Sequence, residues 1–214
     1  QNRFVKTIFA NDIDTNLINY YNAVQNDPMS LIREISAVKK EYTAETFNDI
    51  YKTLDITTPC GFFIANKTSF SGIGNSYSTS TYDSNFSFNA IKNIYLISKV
   101  IKDVKFLNLD FVDLDSEIDD FENFFVYLDP PYYYNMDVGL YGERGSLHKE
   151  FNHEVLFDWV NAHAERNRIM ISYDDSAYIR ELYKNYNIYS FDFAYTMTKV
   201  CRKKCIIGKE LIIT

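Results

Sequence analysis

Two consecutive prolines, Pro130 and Pro131, follow the apolar run Phe124-Phe125-Val126-Tyr127-Leu128 and a single aspartate, Asp129. Proline lacks an amide hydrogen and has a fixed φ, so neither a sheet ladder nor a helix continues through such a pair. The apolar run reads as a strand buried on both faces of a parallel sheet. The prolines then stiffen a tight turn at its carboxyl end, where open α/β sheets gather their ligands. The turn offers one carboxylate (Asp129), one carbonyl (Pro130) and one aromatic ring (Tyr132). An exocyclic amine on a purine carries two N–H donors and a lone pair delocalised into the ring. Two acceptors hold both hydrogens and draw the nitrogen toward a more nucleophilic geometry, while the ring of Tyr132 stacks on the base. The bland alternative is a structural Pro-Pro turn capped by an aspartate.

The rest of the chain supplies a setting for that turn. Phe4 to Ala10 reads as a strand ending at Asn11-Asp12-Ile13-Asp14. A helix follows through Leu17, Ile18, Tyr21 and Val24, capped by Asp14 or Thr15. A carboxylate at the end of such a strand is placed to accept from ribose hydroxyls. Residues 30–65 read as helical and partly polar. Residues 66–90 are rich in Ser, Thr, Asn, Gly and Tyr and read as a long loop or a small irregular subdomain. A helix at 89–102 and a strand at 103–109 lead to Asp110-Phe111, and the acidic stretch 113–122 reads as a solvated linker or short helix. After a polar loop at 139–150 come a helix at 154–164, a buried strand Ile169-Met170-Ile171-Ser172 and a helix at 179–186. Strands at 188–198 and 205–213 form an antiparallel hairpin around the basic Lys199–Lys204 turn. Strands alternating with helices define an α/β, doubly wound, Rossmann-like sheet with helices on both faces.

Composition narrows the function classes. The 214 residues suffice for one substantial core with a small appended subdomain. The net charge of −7 is unfavourable for a nucleic-acid binder. A local basic strip is enough, however, and Lys39-Lys40 and Arg202-Lys203-Lys204 are its candidates. The 18 Tyr and 17 Phe are read either as stacking surfaces or as a compositional bias. Cys60, Cys201 and Cys205 do not form the two clean pairs of a zinc site, so no metal is expected. Their sparse, odd count points to a reducing, cytoplasmic setting. Nothing approaches the ~18 apolar residues of a membrane span, so no membrane partner is expected. His163 reads as a surface or capping residue, and His148 and His153, in the loop after the turn, read either as phosphate or base contacts or as loop packing, outside the catalytic set.

Taken in order, these motifs resemble the Dam-like, D12-class DNA adenine-N6 methyltransferases. Asp129-Pro130-Pro131-Tyr132 matches the family's catalytic tetrapeptide. Ala10-Asn11-Asp12-Ile13-Asp14 resembles its acidic cofactor motif, and Asp110-Phe111 the pair that brackets the cofactor adenine. Asn66-Lys67-Thr68-Ser69-Phe70-Ser71-Gly72 is similar to the segment that opens its target-recognition region. Leu140-Tyr141-Gly142, Leu147-His148-Lys149, Phe151 to Glu154, Tyr173-Asp174-Asp175-Ser176 and Gly208 to Ile213 follow the family as well.

The resemblance implies S-adenosylmethionine as methyl donor, held through Asp12, Ile13, Asp110, Phe111 and Asp129. It implies double-stranded DNA as partner, contacted by Asn66, Lys67, Phe70, Ser71, Ile73 and Asn75. Residues 1–65 with 103–214 then form the catalytic domain, and 66–102 the target-recognition region. Two departures stand out. The family's Gly-rich cofactor loop lies upstream of the matched acidic motif, so a complementing N-terminal segment or partner chain is expected, with weak donor binding by this chain alone. Asn75 stands where Dam-like members carry an arginine, which removes a bidentate guanine reader. The alternatives are an RNA adenine-N6 methyltransferase and a non-catalytic DNA-binding module derived from such an enzyme.

Overall fold

The computed structural model describes residues 7–69, 76–133, 151–195 and 206–214, with side chains omitted for 193–195 and 206–207. The chain divides into two compact units, Gln1–Phe111 and Val112–Thr214. This is a division by packing, whereas the sequence division above was drawn by role.

In the first unit, β1 (Ile8–Asn11) and β2 (Val104–Leu107) pair in parallel, with Ile8 beside Val104 and Asn11 beside Leu107. Parallel neighbours require a crossover connection, and among the described residues it contains six helices. These are α1 (Thr15–Asn26), α2 (Pro28–Glu41), α3 (Phe47–Tyr51), α4 (Pro59–Thr68), α5 (Thr79–Asn85) and α6 (Phe88–Val100). Most begin where a short polar side chain accepts first-turn amide hydrogens that would otherwise lack partners. Asp14 does so for α1, Asp27 for α2, Thr58 for α4, Ser78 for α5 and Ser87 for α6. Pro28 and Pro59 occupy first-turn positions that tolerate a missing N–H.

The Ser78 cap corrects the reading of 66–90 as irregular, whereas α6 is the helix expected at 89–102. A serine that suggested a loop starts a helix, and α5 and α6 carry Tyr82, Phe86, Ile91 and Ile94 into the core. There they meet Tyr20, Val24, Leu31, Ile35, Phe47, Phe63 and Ile64 from α1 to α4. Tyr82 lies 5.3 Å from Phe47 and 5.2 Å from Phe86 between ring centroids, and its hydroxyl donates to Tyr42 O at 2.7 Å. The abundant aromatics are core material in this unit. Lys39, a candidate for the basic strip, instead sets its Nζ 3.8 Å above the Tyr82 ring. Burial there lowers its ammonium pKa, against the opposing charge of Asp83.

In the second unit, β3 (Phe125–Leu128) pairs in parallel with β4 (Arg168–Asp174). The sheet order is β3-β4-β6-β5, with β5 (Ile188–Tyr195) and β6 (Ile206–Ile213) antiparallel as expected. The last strand is inserted between β4 and β5, which a local hairpin signal does not encode. The acidic stretch becomes a 3₁₀ turn (Phe111–Asp113) and α7 (Leu114–Glu117), anchored by buried Leu114 and Ile118. The remaining helices among the described residues are α8 (His153–His163), capped by Asn152, and α9 (Ala177–Leu182), capped by Ser176. They supply Phe157 and Tyr183 to the sheet face carrying Tyr173, with Phe157–Tyr183 centroids at 5.2 Å and Tyr173–Tyr183 at 6.0 Å.

Two expectations change here. Within the described residues β3 is an edge strand, and alternate side chains are open: Phe125 is 66% exposed and Tyr127 53%. The strand is therefore not buried on both faces. His163 is not a surface residue either: it is buried, stacked on Trp159 at 4.3 Å, with Nδ1 2.7 Å from Trp159 O. Its Nε2 lies 3.5 Å from Asp115 Oδ2. No helix among the described residues is long and apolar enough to cross a membrane.

Candidate active site

The first unit contributes the exits of its two parallel strands. Asp12 follows β1 and Asp110 follows β2, and adjacent parallel strands deliver both exits to the same edge. Two asparagines stitch the exits together. Asn11 donates from Nδ2 to Leu109 O at 3.0 Å and accepts from Leu109 N–H at 3.0 Å. Asn108 donates from Nδ2 to Asp12 O at 2.9 Å and to Ile13 O at 3.1 Å, while its Oδ1 accepts from Thr15 Oγ1 at 2.8 Å. The segments bearing Asp12, Ile13 and Asp110 are thus held together by side chains that the sequence reading did not single out.

Asp12 itself is half-buried, and its Oδ1 accepts from Asp14 N–H at 2.8 Å. Burial raises its carboxyl pKa, the Asp14 N–H bond lowers it, and the Asp14 charge raises it again. Ile13 is half exposed at 50%, Asp110 is exposed and Phe111 is half-buried. A half-buried carboxylate, an open apolar side chain and an adjacent aromatic ring suit a ribose and an adenine ring. These residues therefore fit the ribose and adenine of a nucleoside.

The second unit contributes the tetrapeptide. Asp129 is exposed, Pro130 is buried, and Pro131 and Tyr132 are half-buried. Leu128 ends β3 opposite Ile171, but β4 continues through Ser172, Tyr173 and Asp174. Alternation along β4 sends Tyr173 into the core and turns Ser172 and Asp174 to the other face. Ser172 Oγ donates to Asp129 Oδ1 at 2.8 Å, and the Tyr127 hydroxyl lies 3.0 Å from that same Oγ. Asp174 Oδ1 accepts from Tyr133 N–H at 2.8 Å, just past the tetrapeptide. The Tyr133 ring stacks on Tyr178 at 4.3 Å, and His153 Nδ1 sits 2.8 Å from the Tyr173 hydroxyl. His153 is thus the first residue of α8 and a buried partner of the core, not a loop residue. Pattern reading had no signal for Tyr127 and Ser172, because both sit inside apolar strands where a hydroxyl passes for ordinary strand composition.

The expected DNA contacts are only partly visible. Asn66 is exposed and Lys67 half-buried in the last turn of α4, with Lys67 Nζ 5.8 Å from the Phe63 ring centroid. Phe70, Ser71, Ile73 and Asn75 lie outside the described residues. So do the 139–150 loop with His148, the Lys199–Lys204 turn, Cys201 and Cys205. The Cys60 thiol is pushed up to about 11, first by burial and then by the charge of Glu34, so it is a poor nucleophile near neutrality. Among the described residues no group of three or more His, Cys, Asp or Glu is arranged to hold a metal ion.

An α/β chain with a carboxylate-Pro-Pro-Tyr turn ending a parallel strand, and a carboxylate ending another, has the parts of a methyltransferase that acts on an exocyclic amine. The model of the D12 class N6 adenine-specific DNA methyltransferases matches residues 2–197, and the chain belongs to that family. It is also similar to the Type II methyltransferase M.MjaIII of Methanocaldococcus jannaschii, at 27% identity over 150 residues. That match covers 59% of this chain and 50% of the relative, so the chain spans about half the length of the curated relative it matches.

Proposed function

We propose that this chain carries the catalytic site of an enzyme that transfers a methyl group from S-adenosylmethionine to N6 of an adenine flipped out of double-stranded DNA. The observation that carries the reading is the placement of Asp129 to Tyr132. The tetrapeptide ends a parallel strand, Asp129 is exposed, and its Oδ1 is already engaged by Ser172. The donor-binding residues of this reading are Asp12, Ile13, Asp110, Phe111 and Asp129. Asn66 and Lys67 meet DNA, together with Phe70, Ser71, Ile73 and Asn75.

The donor, when bound, supplies an electrophilic methyl on a sulfonium. Everything else asked of the protein is positioning and electrostatics. Extruding the adenine costs a few kcal/mol, and stacking on Tyr132 returns roughly 1–3 kcal/mol. Asp129 and the Pro130 carbonyl each accept one N6 hydrogen, which turns the nitrogen lone pair out of conjugation and toward the methyl carbon. As the N–C bond forms, the sulfur–methyl bond breaks and its electron pair stays on sulfur as a neutral thioether; N6 gains positive charge, and the Asp129 carboxylate stabilises it and takes the proton that N6 sheds. No covalent enzyme intermediate and no metal enter this scheme.

The test is Asp129→Ala, assayed by mass spectrometry of nucleosides from unmethylated duplex DNA incubated with enzyme and donor. The wild type should yield N6-methyladenine, and the variant should fall by at least about 10³-fold, the scale of losing a key charge-stabilising group, with an unchanged melting temperature. Turnover by Asp129→Ala at the wild-type rate would overturn the mechanism, and methylation of RNA but not DNA would overturn the substrate.

A further inference from the structure

We infer that Ser172 is a positioning residue for Asp129, seated in a relay that starts at the Tyr127 hydroxyl. The inference rests on the site proposed above and adds what sets the carboxylate's orientation. A carboxylate at the end of a strand rotates freely about its side-chain bonds unless something holds it. Asp129 is exposed, so packing does not supply that restraint.

The geometry supplies it instead. Ser172 has one hydroxyl hydrogen and two nearby acceptors, Asp129 Oδ1 at 2.8 Å and Leu128 O at 3.5 Å. The shorter, charge-assisted contact wins. The 3.0 Å contact between Tyr127 and Ser172 is then a donation from the phenol to Ser172 Oγ. The relay runs Tyr127 O–H to Ser172 Oγ–H to Asp129 Oδ1, and each link polarises the next. Among the described residues Asp129 Oδ2 carries no protein hydrogen bond, so it is the oxygen left for the substrate amine.

The support under this relay is rigid. Ser172 is 4% exposed and lies in the part of β4 that outruns β3. That part is clamped on its other side by β6, with Ser172 opposite Ile212 and Asp174 opposite Glu210. Asp174 fixes the far end of the turn through Tyr133 N–H. One strand therefore grips the tetrapeptide at both ends, with residues two apart on one face. Reactive groups held by such supporting bonds lose about 10- to 100-fold when a support is removed.

The experiment compares Ser172→Ala, Ser172→Thr and Tyr127→Phe with wild type in tritiated methyl transfer to unmethylated duplex DNA. KM for DNA, KM for the donor and kcat are measured separately. Ser172→Ala should lower kcat by about 10- to 100-fold and leave both KM values within about twofold. Ser172→Thr, which keeps the hydroxyl, should recover most of the loss. Tyr127→Phe removes only the outer link of an exposed residue and should lower kcat by about 3- to 10-fold. It decides the matter if Ser172→Ala does not fold. Wild-type kcat in Ser172→Ala, a loss appearing in KM alone, or no recovery with Thr would overturn the relay while leaving the enzyme reading intact. Absence of transfer by the wild type would overturn both.

Discussion

At the scale of single residues, Tyr173 and Tyr183 carry the same ring to the same depth and differ in what their hydroxyls meet. Both are 0% exposed. The Tyr173 hydroxyl lies 2.8 Å from His153 Nδ1, whereas the Tyr183 hydroxyl is buried without a hydrogen-bond partner among the described residues. A buried bond contributes about 1 kcal/mol net, and a buried orphan costs about 1–3 kcal/mol. Tyr173→Phe should therefore destabilise by about 1 kcal/mol or more. Tyr183→Phe should be neutral or stabilise by about 1 kcal/mol, since it deletes the orphan and keeps the ring. Urea denaturation of the two variants checks the ranking, and a larger loss for Tyr183→Phe than for Tyr173→Phe would contradict it.

At the scale of elements, α4 depends on a glycine that sequence reading passed over. Gly61 lies in the first turn of α4, where its N–H donates to the Thr58 cap at 3.1 Å. A Cβ built there would meet Asp55 O at 2.0 Å and Asp55 C at 2.8 Å, both backbone atoms that cannot swing aside. Alanine would gain up to about 1 kcal/mol of helix propensity, but the clash costs about 3 kcal/mol, at the upper end of overpacking. Gly61→Ala should therefore destabilise by about 2 kcal/mol, read as a lowered melting temperature. An unchanged or raised one would show that the Asp55–Thr58 turn gives way. The same helix illustrates why some elements were legible and others not. Asp14 before the 3- and 4-residue spacing of α1, and the alternation of helix and strand, are local signals, and both were read correctly. The cap at Ser78 is equally local but sat in a Ser- and Asn-rich stretch whose composition spoke for a loop. The insertion of β6 between β4 and β5 is a long-range pairing with no local trace. The exposure of Phe125 and Tyr127 likewise depends on which strands flank β3, not on the run of apolar residues.

At the scale of the whole molecule, the candidate site follows the same division. Asp129 to Tyr132 and Asp12 were readable because their order along the chain carries chemistry, while Asn11, Asn108 and Ser172 act through partners 43 to 98 residues away. The aromatic richness, read as stacking surface or bias, proves largely internal among the described residues, and it makes the fold sensitive to alkali. Burial above all raises the phenols of Tyr20, to about 12, and of Tyr173 and Tyr183, beyond the usual tyrosine value. Neighbouring phenols push in the same direction. Below the unfolded value of about 10 these groups are protonated in both states and stability is fully present. Above it the unfolded chain releases phenolic protons that the folded chain retains, so stability falls as pH rises toward the raised folded values. Each such tyrosine contributes a slope of about 1.4 kcal/mol per pH unit. Tyr173 and Tyr183 lie in the second unit and Tyr20 in the first. With Tyr77 of the first unit likewise pushed up to about 12, each unit holds two strongly raised phenols, and the two units should lose stability at similar slopes. Hydrogen exchange resolved by unit, in urea between pH 9 and 11, measures both slopes, and phenolate absorbance from the buried rings should appear only with unfolding. The double variant Tyr173→Phe with Tyr183→Phe should flatten the second slope and leave the first unchanged. A slope that survives the double variant would assign the alkaline loss to the net charge of −7 growing more negative, not to buried phenols.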